Sequence, residues 1–516
     1  DGAKAAAGAA GLTLVEDEGL VVENAGLTEY PVPLLGRFDA AFLDVPPEVI
    51  QLTARINQKY FVCEDGGGKL ANAFVCTANI DAADGGKAIV AGNEKVLAAR
   101  LSDAKFFWEL DQQKTLEQHA QGLARITFHE KLGTVADKVE RVAKLAEWLA
   151  NEGIVPDCDP KLARQAAELC KADLVTEMVG EFPELQGLMG GYYAKKQGLD
   201  PQVAAAIRDH YKPVGQGDEV PTAPVTVAVS LADKLDTLVG FYLEGMSPTG
   251  SRDPFALRRA AIAVLMTLER IGLRMPLRYV LNYQIRAYDL PRIQEIEPRL
   301  RAPLADMIDD LVRSDDPDFA ENAISEAVMN RDAEVYKILA RSLSARGELI
   351  DFFADRLKVQ QKEAGVRHDL IDAVFALGGE DDLVRLLARV KALQSFVQTD
   401  AGADLNAAYK RAGNILKQVD GEIAVDVSAP TDEPEASTAL AAALDSAAPT
   451  ARNAVVGEDF EGAMTALASL RDPIDRFFDD VMVNDEDDGR RQYRLSLLAR
   501  FVAAVHEVAD FSKIEG

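Results

Sequence analysis

The chain has 516 residues, of which 48% are apolar and 27% are charged, and its formal net charge is -28. This composition is typical of globular, helix-rich proteins and excludes a disordered or fibrous chain, while the length predicts about three or four domains. The negative charge excludes binding of nucleic acid or acidic membranes over the whole surface, but it permits a local basic site.

The beginning of the chain and its cysteines give further expectations. No run approaches the roughly 20 apolar residues that span a bilayer, and the first residues lack the order of a signal peptide, so we predict a cytoplasmic protein. The chain starts with Asp1 rather than Met, which indicates a piece of a longer protein. Its four cysteines form no disulfide framework and no zinc-ligand spacing, so reduced thiols are expected.

Residues 1–111 are predicted to form an α/β domain. The runs PVPLLGRF, EVIQLTARI, KYFVCE and NAFVCTANI are short and apolar or alternating, which is typical of strands, and EDGGGK reads as a hairpin turn. This turn lacks the spaced glycines and the GK[ST] ending of a phosphate-binding loop. The run GNEKVLAARLSDAKFFWEL then repeats apolar residues at helical spacing.

From residue 112 onward the pattern is helical almost throughout, as in VADKVERVAKLAEWLA and FALRRAAIAVLMTLERIG. We divide this part into helical domains at 112–270, 271–395 and 396–516. The segment 421–449 is acidic, rich in Pro, Ser and Ala and without Lys or Arg, so it is predicted to include a flexible loop. Like-charge repulsion would keep this segment away from RNA.

An enzymatic hypothesis comes from three residues whose order suits a metal-dependent phosphohydrolase of the HD type. His129, Asp173 and Asp233 occur in the required order, but Ala172 stands where the paired histidine is needed. One imidazole and two carboxylates bind a transition metal poorly, so a structural role is favoured and no metal is predicted. His210 could substitute in principle, although nothing in the sequence places it there.

Two basic helix faces near the C-terminus are better candidates for a site, and they would suit a phosphate backbone. Leu405, Ala408 and Ala412 define a buried stripe in ADLNAAYKRAGNILKQ, which leaves the polar residues on another face. A second cluster precedes the apolar stripe of the last helix. The candidate residues are Lys410, Arg411, Asn414 and Lys417 in the first face, and Arg490, Arg491 and Arg494 in the second. Ordinary solvated helix faces are the alternative.

Several motifs together resemble the β subunit of bacterial glycyl-tRNA synthetase, the tetrameric type with two α and two β chains. GNEKVL, DPFALRRAA, AAYKRAGNIL and DFEGAMTALASLRDPIDRFFDDVMV carry the resemblance, which extends over residues 12–516. The opening EIGTEELP-like motif of that family is missing, so an N-terminal segment is expected to be absent.

The resemblance implies a multidomain, predominantly α-helical protein. Residues 1–111 would resemble part of the phenylalanyl-tRNA synthetase β subunit. Residues 112–270 would form a degenerate HD-like domain, in which His129, Asp173 and Asp233 are vestigial. Residues 271–395 would form a helical linker or body, and residues 396–516 a DALR-type anticodon-binding domain. The α subunit would carry the class II active site and use ATP and Mg, so this chain would have no catalytic residue, cofactor or metal of its own.

The expected function is therefore to bind and position tRNA-Gly for glycylation on the α subunit, without membrane or DNA partners. Arg252, in the turn MSPTGSRDPF before a helix expected to start at Asp253-Pro254, is a further candidate for phosphate contact. Two alternatives remain open: a metal-dependent HD-type phosphohydrolase, and an assembly scaffold that binds the α chain but no RNA.

Overall fold

Contacts along the chain define two compact units, described separately below. Unit 1 contains residues 1–211 and 221–233, and unit 2 contains residues 212–220 and 234–516. The computed structural model describes residues 1–215, 217–296, 333–378, 380–419, 423–424 and 427–515. The predicted boundaries at 111, 270 and 395 are finer than this division and stay predictions, and part of the predicted 271–395 body lies outside the described residues.

Unit 1 contains an antiparallel sheet built largely from the predicted strands. Its order is β1-β3-β4-β2, with β3 paired to β4 through Phe61 and Val75. In the turn between them the Asp65 carboxylate accepts from the backbone N–H groups of Gly67 and Lys69, which fixes the hairpin that EDGGGK predicts. The strands are β1 (Thr13–Leu14), β2 (Val32–Arg37), β3 (Phe61–Glu64), β4 (Leu70–Ala78), and a separate hairpin of β5 (Thr127–His129) and β6 (Gly133–Thr134).

One predicted strand is wrong. The run EVIQLTARI forms helix α3 (Pro47–Thr53) and a following π-helical turn, Ala54–Gln58. Proline fits the first turn of a helix, where its missing N–H is not needed. Val49 and Ile50 are fully buried, so packing of this short helix replaces the expected strand pairing.

Helices make up the rest of unit 1, and side-chain caps start several of them. Thr134 and Asp137 form a capping box at α6, and Asp159 caps α7 just before Pro160. The helices are α1 (Gly2–Ala9), α2 (Glu18–Leu27), α3, α4 (Lys87–Asp111), α5 (Leu116–Ala120), α6 (Val135–Asn151), α7 (Pro160–Leu169), α8 (Glu177–Glu181), α9 (Leu188–Lys196) and α10 (Pro201–Asp209). Helix α11 (Pro224–Leu243) contains the boundary between the units.

Unit 2 is helical in its described part, as predicted. After α11 its helices are α12 (Leu257–Ile271), α13 (Leu277–Ile296), α14 (Ala333–Glu363), α15 (His368–Phe375), α16 (Leu383–Val397), α17 (Asp400–Leu416), α18 (Glu435–Val456), α19 (Phe460–Ala468), α20 (Arg471–Asp480) and α21 (Asp488–His506). Fully buried Leu405, Phe477 and Phe501 belong to the core around α17, α20 and α21. This core fixes the two faces that carry the candidate basic residues.

Candidate functional site

The three HD-like positions of unit 1 have different environments. His129 ends β5, and its ring Nδ1 accepts from the backbone N–H of Lys131 at 3.3 Å. Asp173 is completely buried, and its Oδ2 accepts from the backbone N–H groups of Gly187 and Gly190 at 2.6 and 3.0 Å. The Asp173 carboxylate therefore fixes the start of α9 rather than facing an open metal position.

Asp233 in α11 is held by two buried ammonium groups. Lys138 Nζ lies 3.0 Å from Asp233 Oδ1, and Lys171 Nζ lies 2.9 Å from Oδ2. The side chains of Lys138 and Lys171 are only 5% and 6% exposed. Cations thus occupy the directions from which a metal ion would approach this carboxylate.

His210 joins the same cluster, which the sequence could not show. Its Nε2 lies 2.9 Å from Lys171 Nζ, and its Nδ1 lies 2.8 Å from the carbonyl oxygen of Ile207. Because an ammonium group can only donate, Nε2 accepts a hydrogen bond from Lys171, and Nδ1 donates to the carbonyl oxygen of Ile207. His210 therefore orients a lysine in place of a metal ion.

The charges of the cluster follow from its geometry. Burial disfavours the ionised form of Asp233, but the nearby Lys138 and Lys171 outweigh it and hold the pKa of Asp233 well below its usual range. Asp173 shows the opposite balance: burial raises its pKa to about 6, against the hydrogen bonds from Gly190 and Gly187. Among the described residues, no three His, Cys, Asp or Glu side chains form a group suited to a metal ion.

The turn that carries Arg252 is closed by backbone hydrogen bonds in unit 2. Arg252 N donates to Thr249 O at 2.8 Å, and Thr249 N donates to Arg252 O at 3.1 Å, which leaves the Arg252 side chain exposed. Helix α12 begins at Leu257, not at Asp253-Pro254, because Ala256 adopts a left-handed conformation with φ of 56°. The Asp253 carboxylate still accepts from the first backbone N–H groups of α12, at Leu257 and Arg258.

Helix α17 carries the first basic face. Its buried side includes Leu405 and Ala412, as predicted. Lys410 is half-buried, and the other candidates, Arg411, Asn414 and Lys417, are exposed. The Arg411 guanidinium lies 4.2 Å from the ring centroid of Phe478, so a cation–π contact orients it.

The second basic cluster differs from the prediction. Arg494 is only 4% exposed and pairs with Glu433 at 3.1 Å and Asp485 at 2.7 Å, and its Nη1 donates to the Met482 carbonyl. A side chain buried in this way does not reach a phosphate in the described conformation, so we assign Arg494 a structural role. Arg491 and Arg490 are partly exposed and pair with Asp488 and Asp432.

The acidic segment 421–449 is only partly a loop: its residues 427–434 form neither helix nor strand, whereas its second half is helical. Residues 421–422 and 425–426 lie outside the described residues, but from Glu435 the segment is part of α18. Its Glu433 holds Arg494, and its Asp445 pairs with Arg500 of α21. Carboxylates of this segment therefore neutralise arginines of the last helix, a long-range pairing that local sequence patterns do not reveal.

No helix among the described residues is both long enough and apolar enough to cross a membrane. Comparison with known families is more informative. The family model "Glycyl-tRNA synthetase beta subunit" matches residues 1–376, and the model "DALR anticodon binding domain" matches residues 405–510.

Individual relatives give the same family. The glycine–tRNA ligase beta subunits of Rhodospirillum centenum and Phenylobacterium zucineum are 48% and 47% identical to the chain, in both cases over its whole length. The beta subunit of Dinoroseobacter shibae is 45% identical over 98% of the chain. The chain spans 66%, 68% and 68% of the lengths of these three relatives, respectively.

Proposed function

Because the chain belongs to the glycyl-tRNA synthetase beta subunit family, we propose that it binds tRNA-Gly and positions it for glycylation by a partner α subunit. Activation of glycine with ATP and Mg would take place on that partner. The contribution of this chain to the rate would be positioning, which converts an encounter between tRNA and glycyl-adenylate into a reaction within one complex. We expect it to act in the cytoplasm, in an α2β2 assembly.

The observation that carries this proposal is the coincidence of the anticodon-binding match with the exposed basic face of α17. The match covers residues 405–510, and Lys410, Arg411 and Lys417 lie at its beginning. Cationic side chains on a helix neutralise backbone phosphates and set the register of the RNA, while bases of a single-stranded loop carry the sequence information. The face stands out because the net charge of the chain is -28.

Fewer residues of unit 2 are proposed to contact phosphate than the sequence alone suggested. Lys410, Arg411, Asn414 and Lys417 remain, and so do the exposed Arg252 and the partly exposed Arg490 and Arg491. Arg494 is not included, because its guanidinium already has buried carboxylate partners.

Replacing both Lys410 and Lys417 by alanine is expected to raise the KM for tRNA several-fold in glycylation with the α subunit. Glycine-dependent ATP–pyrophosphate exchange without tRNA should not change, because these lysines would not touch the adenylate. The slope of log affinity against log salt should fall by about one for each phosphate-contacting lysine removed. The measurement is a tRNA titration at several salt concentrations.

Lys144→Ala is the matched control for this experiment. Lys144 is 53% exposed on α6 and pairs only with a neighbouring surface residue, Glu140, in the described structure. An equal effect of the control and the double variant would contradict a specific role for the α17 face. An unchanged KM for tRNA and an unchanged salt slope in the double variant, with glycylation intact, would favour the assembly scaffold, which binds no RNA.

The phosphohydrolase alternative has no support from the three relatives described above, each of which is named as a glycine–tRNA ligase beta subunit. The pairing of Asp233 with Lys138 and Lys171 also argues against it, because a metal ion would have to displace two ammonium groups that are already bound.

A further inference from the structure

A cavity of about 280 Å³ opens beside the first half of α17 in unit 2. Its lining includes Asn406 and Lys410 of α17, Val397 at the end of α16, Arg367 just before α15, and Ile514 and Glu515 near the C-terminus. The volume lies just below the roughly 300–1,000 Å³ of typical small-molecule pockets. The cavity therefore suits a single ring system with a few polar contacts better than a large cofactor.

Asn406 is the unusual residue in this cavity. Asn406 is one of the lining residues and is only 9% exposed, and its buried Oδ1 has no hydrogen-bond partner among the described residues. Buried polar atoms are nearly always hydrogen-bonded, so an unsatisfied one beside a cavity points to a missing ligand. Rotation of the terminal amide by a half-turn exchanges its oxygen and NH₂ group, so Asn406 can offer either a donor or an acceptor.

The charges around the cavity narrow the choice of ligand. Arg367 is already held by the Asp369 carboxylate and by the backbone carbonyl of Glu515. Lys410 has no carboxylate within ion-pair distance in the part of the chain that the structure describes, so it is the cation available to an incoming anion. Lys410 lines the cavity together with the acidic residue Glu515. This arrangement can neutralise the single negative charge of an RNA phosphodiester, but it disfavours a free nucleotide, whose phosphate carries more negative charge.

We infer that this cavity binds one unstacked base of a single-stranded RNA loop, with Asn406 hydrogen-bonding to the base edge and Lys410 neutralising the adjacent phosphate. This assignment rests on the proposed function and adds the residue that reads sequence. Val397 and Ile514 supply apolar surface for the ring. Amide side chains read base edges through paired donor and acceptor atoms, whereas lysine contacts to phosphate add affinity without sequence preference.

The test uses Asn406→Ala and Lys410→Ala variants, titrated with a tRNA-Gly transcript and with transcripts in which each anticodon-loop base is changed in turn. We expect the wild-type protein to prefer one base at one loop position by about tenfold or more. Asn406→Ala should lose that preference and keep the salt slope. Lys410→Ala should bind all transcripts more weakly, keep the preference, and lower the salt slope by about one.

Asn453→Ala is the matched control, since Asn453 is an exposed amide on α18 that does not line the cavity. A thermal midpoint close to that of the wild type checks that Asn406→Ala is folded. Asn406→Leu, which fills the site with an apolar side chain, should abolish the preference as well.

The outcomes separate this assignment from the proposed function. If the wild-type protein binds no transcript, both fail together. If it binds and discriminates but Asn406→Ala discriminates equally well, the cavity assignment alone is overturned. Competition by free AMP, CMP, GMP or UMP at concentrations that match the RNA affinity would also overturn it, because the occupant would then be a free nucleotide.

Discussion

Replacing Asp233 by asparagine is expected to lower the free energy of unfolding of unit 1 by about 3–5 kcal/mol, the typical cost of removing one partner from a buried ion pair. The reason is that Lys138 and Lys171, each about 95% buried, would keep their charges without a carboxylate to balance them. Urea unfolding followed by tryptophan fluorescence measures this directly. Both tryptophans of the chain, Trp108 and Trp148, belong to unit 1.

Glu140→Gln is the control for this prediction. Glu140 also pairs with a lysine, Lys144, but both side chains are more than half exposed, so the loss should be about 0–1 kcal/mol. A loss for Asp233→Asn as small as that of the control would show that the buried cluster does not stabilise the fold.

The pH dependence of the Asp233 contribution has a definite sign. The pKa of this carboxyl is depressed in the folded state, so its stabilisation is fully present above the unfolded pKa of about 4 and is lost as the pH falls further towards the folded value. The difference in stability between wild type and Asp233→Asn should therefore be constant from neutral pH to about pH 5 and should shrink below about pH 4. A difference that already disappears near pH 6 would contradict this assignment.

Replacing Arg494 by alanine is expected to destabilise unit 2 by a similar amount, about 3–5 kcal/mol. Arg494 is the buried partner of Glu433, whose side chain is only 1% exposed, and its removal would leave that carboxylate unpaired. Burial disfavours the charge of Arg494, but its hydrogen bonds and ion pairs with Glu433 and Asp485 outweigh this and raise its pKa. Chemical unfolding followed by far-ultraviolet circular dichroism provides the measurement.

Arg491→Ala separates this structural role from an RNA contact. Arg491 belongs to the same helix, α21, and pairs with Asp488, but its side chain is 41% exposed, so its removal should change stability by less than about 1 kcal/mol. The double variant Glu433→Gln, Arg494→Ala should recover part of the loss, because the unpaired carboxylate is gone. If Arg494→Ala instead had normal stability but weakened tRNA binding, the result would support the phosphate contact that the sequence predicts for Arg494.

Several features of the fold could be predicted because they depend on local periodicity. The hairpin of β3 and β4 follows from apolar runs around a glycine-rich turn, and α17 follows from apolar residues at helical spacing. Helix α18 was also visible in principle, since Ala436, Leu440, Leu444, Ala447 and Ala451 are buried at steps of three and four residues. The proline and serine residues of this segment are typical of loops, so composition alone predicts a loop where the structure has a helix.

The buried pairings could not be predicted, because they join residues far apart in the chain. Arg494 and Glu433 are 61 positions apart, and Lys171 and Asp233 are 62 positions apart. Composition indicates only that such charges exist, whereas the fold decides which of them meet. Only the burial of Lys138 could be predicted locally. Lys138 lies on the same helical stripe as Val135, Val139 and Val142, and a charged residue on a buried stripe needs a buried partner.

A salt-resolved binding titration would show whether this chain recognises tRNA-Gly. Two transcripts are compared at matched salt, native tRNA-Gly and the same molecule with its anticodon replaced. We predict that the native transcript binds more tightly at every salt concentration, since base contacts contribute in addition to the shared phosphate contacts. Equal binding of both transcripts would contradict anticodon recognition, and no binding of either would contradict the claim that the chain binds tRNA by itself.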